Sequence, residues 1–133
     1  MGSQLAERVS EVPDMYEKSD RSTATLLKDC GYLDAPQALK TKDVEEALAQ
    51  EPWLADKWLA RGGDQRFSGG WGIERANGMW RVWNFANRSE RLVEHNRLHA
   101  VAEFIVRYVG FMGDVLRRKQ PDQGRMRKRR STT

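Results

Sequence analysis

The stretch Trp71-Gly72-Ile73-Glu74-Arg75-Ala76-Asn77-Gly78-Met79-Trp80-Arg81-Val82-Trp83-Asn84-Phe85 decides the reading of the fold. Asn77-Gly78 is the dipeptide that most readily supplies the two consecutive positive-φ residues of a type I′ hairpin turn. A two-residue turn there sets a register in which Ala76 faces Met79, Arg75 faces Trp80, Glu74 faces Arg81, Ile73 faces Val82 and Gly72 faces Trp83. Glu74 and Arg81 are then opposite charges across the ladder and Arg75 lies over the ring of Trp80, pairs worth ~0.2–1 kcal/mol each. Alternation puts Trp71, Ile73, Trp80 and Val82 on one face, with Arg81, Trp83 and Phe85 on the other. A two-stranded ribbon is not stable alone, so helices must cover at least one face.

The covering element lies downstream. At 100° per residue, the apolar residues Leu98, Val101, Ala102, Phe104, Ile105, Tyr108, Val109, Phe111, Met112, Val115 and Leu116 predict a helix over residues 94–119 with more than half its circumference apolar. Burial within its own domain is the simpler use of so wide a face; the alternative is a homodimer formed through this helix.

Upstream, Ser22 caps a short helix that ends at Gly31, and Thr41 caps a second whose first turns carry Asp43, Glu45 and Glu46. Pro52 opens a third helix over residues 52–61. Residues 62–70 hold four glycines and read as a loop, while residues 1–20 are polar, contain Pro13 and read as a flexible arm in which Val9, Val12, Met15 and Tyr16 could dock as a short turn of helix. The expected fold class is therefore α+β: short N-terminal helices, a Trp-rich antiparallel hairpin and a long C-terminal helix. Residues 21–118 form a single domain and residues 119–133 a basic disordered tail.

Bulk composition agrees with a packed domain. Five Trp, four Phe and three Tyr occur in 133 residues, and hydrophobic residues make up 39%. The net charge of +4 conceals a division: residues 117–133 carry eight Lys or Arg against Asp122, which leaves 15 basic and 18 acidic residues in 1–116. The body of the chain is thus acidic at −3 and the tail basic at +7. No run approaches the ~20 apolar residues of a membrane span. Glu7 and Glu11 stand where an export signal would be apolar, and Cys30 has no cysteine to pair with, so a reducing cytoplasm is the expected compartment.

Candidate chemistry is thin. His95 and His99 have the four-residue spacing of zinc ligands on one helix, with Glu103 a turn further on. The segment His95-Asn96-Arg97-Leu98-His99 nevertheless lacks the general-base Glu of a metalloprotease, and no third ligand has useful spacing. Cys30 sits on an apolar stripe as a structural thiol. The glycine loop lacks a Gly-Lys-Ser/Thr ending and leads into a strand, which removes the geometry of a phosphate cradle. No catalytic residue, metal ligand or cofactor site is assigned.

Binding is the stronger expectation. Arg81, Trp83, Phe85 and Arg88 form a candidate protein-contact patch, because Trp with neighbouring Arg is the usual composition of an interface hot spot. Arg125, Arg127, Lys128, Arg129 and Arg130 are candidates for phosphate contacts on RNA or DNA. The run Gly70-Trp71-x-Ile73-x-Arg75, followed by Gly78-x-Trp80-x-Val82 and a helix bearing Ala102-Glu103-Phe104-Ile105, resembles small bacterial immunity proteins of polymorphic toxin systems over residues 70–110. That resemblance implies a non-enzymatic inhibitor that blocks a toxin through an acidic or aromatic surface, and the −3 body suits a basic partner. The alternatives are a small nucleic-acid-associated protein using its tail and a helix-mediated dimeric subunit.

Overall fold

The computed structural model describes the backbone over residues 4–62, 71–84 and 90–132, and side chains over 4–60, 71–84, 93 and 95–116. Asn77 and Gly78 both take positive φ, 54° and 76°, and the hairpin closes through them. Strand β1 (Trp71–Ala76) pairs antiparallel with β2 (Met79–Asn84) in the register set by that turn, from Ala76 opposite Met79 to Gly72 opposite Trp83.

A third strand, β3 (Glu90–Glu94), extends the hairpin to a sheet of order β1-β2-β3. Its residues were not expected as a strand, because Leu92-Val93 is a lone apolar pair among charges and shows no alternation. Val82 faces Leu92 but Trp83 faces Glu90, so the register shifts and Arg91 is the extra residue of a bulge.

Among the described residues, six α-helices accompany the sheet. The first two, α1 (Gln4–Ser10) and α2 (Val12–Lys18), replace the flexible arm expected over residues 1–20. Ala6, Val9 and Val12 are buried in the core, so this segment has the apolar anchors that an arm lacks. Pro13 falls in the first turn of α2, where its missing N–H costs nothing. In α3 (Thr23–Asp29), Ser22 Oγ accepts the Thr25 N–H at 3.1 Å, and Gly31 takes φ 90° beyond the helix. Two 3-10 turns, Tyr32–Asp34 and Pro36–Ala38, lead to α4 (Thr41–Gln50) and α5 (Trp53–Gly62). Thr41, expected as the α4 cap, is already the first helical residue and Lys40 takes the cap position. The Thr41 hydroxyl donates to Glu103 Oε1 at 3.3 Å instead.

The last helix, α6 (Arg97–Thr132), is preceded by Asn96, whose Oδ1 accepts the His99 N–H at 3.0 Å. Its backbone continues into the segment 119–133 that was expected to be disordered. Arg, Lys, Gln and Met favour helix there, while Pro121 and Gly124 oppose it. The side chains after Leu116 lie outside the described residues.

The core is built on α6. Ala100, Val101, Ala102, Phe104, Ile105, Tyr108 and Val109 are buried, with Ile73 and Val82 of the sheet and Val44, Leu48, Leu54 and Trp58 of α4 and α5 in the same cluster. Trp58 is wholly buried and meets Phe104 and Tyr108 edge-on, with ring centroids 6.3 and 5.7 Å away. Its indole N–H donates at 2.9 Å to the Ser10 carbonyl, one of the groups that the end of α1 leaves without a helical partner. Tyr32 lodges against α6 where only glycine fits: a Cβ on Gly113 would lie 2.8 Å from Tyr32 Cε2. Among the described residues no helix is long and apolar enough to cross a membrane.

Trp58→Ala removes the ring that joins three layers and orphans the Ser10 carbonyl. The expected loss is about 3–5 kcal/mol, read from the urea midpoint at constant m.

Candidate partner-binding face

Because α6 packs on one side of the sheet, the strand register decides what the other side presents. Trp71, on the α6 side, has the Arg107 guanidinium 5.7 Å from its ring centroid. Ile73 and Val82 lie beneath the same helix. Arg75 follows on this face, 5.9 Å over Trp80 at the hairpin end.

The opposite face carries Glu74, Arg81, Trp83 and Val93. Arg81 Nη1 lies 3.6 Å from Glu74 Oε2, and both side chains are partly exposed. Val93 faces Arg81 across the β2–β3 ladder and is 49% exposed, while Trp83 is half-buried opposite Gly72. A neutralised charge pair beside an exposed aliphatic and a partly covered indole makes a surface of mixed chemistry with little net charge. Of the four residues expected to form a contact patch, Arg81 and Trp83 share this face; Phe85 and Arg88 lie outside the described residues. Val93 joins them through β3, and no periodic signal in the sequence marks it. Arg125, Arg127, Lys128, Arg129 and Arg130 lie on the α6 backbone, with side chains outside the described residues.

The two histidines are not on one helical face. His95 precedes α6, which begins at Arg97, so the four-residue spacing does not align the rings. His99 faces α4 instead, with Nδ1 2.9 Å from Glu45 Oε1 and Nε2 3.6 Å from Glu103 Oε2. Arg107 also donates to Glu103 Oε1. Among the described residues no group of three His, Cys, Asp or Glu is placed to hold a metal ion.

Two further features lie among the N-terminal helices. A cavity of about 190 Å³ is lined by Glu7, Ser10, Glu11, Ala47, Gln50, Glu51 and Leu54. Burial, followed by the negative charges of Glu51, Glu7 and Asp14, pushes the Glu11 carboxyl up from its ordinary range. Beside it, Lys57 Nζ of α5 reaches Glu17 Oε1 at 2.5 Å and Asp14 Oδ1 at 3.6 Å, pinning α5 to α2. The hydrogen bond from Lys18 holds the Asp14 carboxyl low, and the bond to Glu17 holds the Lys57 ammonium high. Cys30 donates its thiol to the Leu27 carbonyl at 3.2 Å, and burial pushes that thiol up, away from thiolate reactivity.

A raised folded-state value means that folding penalises ionised Glu11. Its contribution is favourable below the ordinary Glu range near ~4.3 and is lost as pH rises through the raised value. Glu11→Gln should therefore raise the thermal midpoint at neutral pH, by a small amount because solvent still screens a partly exposed carboxyl. The gain should vanish in acid, as thermal melts at several pH values will read.

Compared with known protein families, curated proteins and solved structures, the chain matches none.

Proposed function

We propose that this protein is a non-enzymatic protein-binding module of the immunity or antitoxin type, acting in the cytoplasm through the sheet face opposite α6. One observation carries the reading: Arg81, Trp83 and Val93 share that face, with Val93 49% exposed beside the Glu74–Arg81 pair. An aromatic and an aliphatic residue flanked by arginine is the composition that concentrates binding energy in protein interfaces. The resemblance of residues 70–110 to immunity proteins supports an inhibitor, and the −3 charge of residues 1–116 favours a basic partner such as a nuclease toxin.

Co-expression with the product of the adjacent reading frame tests the proposal. A complex should form, and Val93→Glu and Trp83→Ala should each weaken it at least about tenfold while the variant stays folded. Calorimetry on purified partners reads the affinity and thermal melting reads the fold. Undiminished affinity of Val93→Glu would remove the face from consideration.

A second reading rests on a separate observation, the eight basic residues against one acid in 117–133. Each Lys or Arg placed on a phosphate releases counterions, so a tail-bound RNA or DNA complex weakens steeply with salt. Deleting residues 120–133 should abolish retention of generic duplex DNA or RNA in a gel-shift assay at low salt; retention by the truncated chain would reject this reading. Dimerisation through α6 has less surface to use, since the apolar residues from Ala100 to Val109 are largely consumed by the chain's own core and Phe111 is the exposed large residue beyond them.

A further inference from the structure

His99 occupies the third position of α6, where the helix meets α4. Its two ring nitrogens face two carboxylates, Glu45 Oε1 at 2.9 Å from Nδ1 and Glu103 Oε2 at 3.6 Å from Nε2. A neutral imidazole has one N–H and one lone pair, so in either tautomer one nitrogen turns a lone pair toward an acceptor-only group. The imidazolium donates a charge-assisted hydrogen bond to Glu45 and presents its second N–H to Glu103 as an ion pair at 3.6 Å.

We propose that His99 is a pH-dependent clasp between α4 and the start of α6, tightened when the ring is protonated and slackened when it is neutral. The surrounding groups favour this assignment. Glu103 Oε1 already accepts from Arg107 and from the Thr41 hydroxyl, which leaves Oε2 toward the histidine. Arg107 stands beyond Glu103 and is drawn to it and to the Trp71 ring. Arg97, the first residue of α6, is engaged by Asp56 of α5. Among the described residues, the charge facing it from α4 is Glu45 and from α6 itself Glu103. The positive end of α6 opposes a cation here; two carboxylates at contact distance oppose it in turn. All three side chains of the clasp are between one fifth and about one third exposed, so protons exchange freely while water only partly screens the pairs.

The clasp is independent of the partner-binding reading, because its readout is the fold. In the full chain, thermal midpoints of wild type, His99→Gln, Glu45→Gln and the double variant are compared between about pH 5.5 and 8, the interval in which imidazole changes charge. The wild type should exceed His99→Gln by roughly 2–5 °C at the acid end, and the gap should close toward pH 8. Glu45→Gln should lose the same pH-dependent increment, and the double variant should lose less than the two single losses added together. A gap that is equal at both ends of the range, or larger at pH 8, overturns the proposal. So does additive behaviour of the two substitutions in acid.

Discussion

The apolar circumference of α6 is the constraint on which the rest of this structure depends. A stripe narrower than half the helix can be buried by a single neighbour; the run from Ala100 to Val109 cannot, and it is buried almost completely. Two layers are therefore required. The sheet supplies one through Ile73 and Val82, and α4 and α5 supply the other through Val44, Leu48, Leu54 and Trp58. Trp58 carries the requirement outward, because an indole buried against Phe104 and Tyr108 still needs an acceptor for its N–H. That acceptor is the Ser10 carbonyl, and so α1 belongs to the core.

A polar seam runs along the same helix. From Trp71 it passes through Arg107 to Glu103, then through Thr41 and His99 to Glu45, joining sheet, α6 and α4. Each link is partly solvated and individually worth little beside the burial of an aromatic ring. Directionality is what the seam adds. Apolar contacts tolerate sliding along a helix axis, whereas a bonded Thr41, Glu103 and Arg107 do not. The seam thus fixes the relative rotation of α4 and α6 after burial has brought them together.

The parts legible in the sequence were those governed by local chemistry. Asn77-Gly78 admits few alternatives to a type I′ turn, and with the turn given the register of β1 and β2 follows without tertiary information. Ser22 as a cap, Gly31 as a left-handed terminator and the amphipathic run of α6 were legible for the same reason. What was less legible, or not legible, depends on long-range packing. Val9 and Val12 lie in a polar, proline-containing segment, and they become core only because Trp58 and α4 stand above them. The strand β3 has no alternation of its own and is defined by the free edge of β2. The Thr41 hydroxyl had two outlets, its own helix and a carboxylate 62 residues away, and the second prevails in the fold. Of the contact face, Arg81 and Trp83 followed from the turn alone, while Val93 required β3.

These dependencies also bear on how the exposed side of the sheet can be used. Edge strands invite a foreign strand unless something discourages it. Here β3 is short, bulged at Arg91 and rich in charge at Glu90, Arg91 and Glu94, the features that disfavour edge-to-edge pairing. A partner is thereby directed away from the edge and onto the face, where Val93 stands between the bulge and the Glu74–Arg81 pair. The face itself exists because α6 claims the other one: a slip of one residue in the hairpin would send Trp83 under the helix and Val82 into water, exchanging core for contact surface. The turn that specifies the core therefore specifies the surface by exclusion, and a protein that binds through this sheet has its binding residues chosen by the same two amino acids that let it fold.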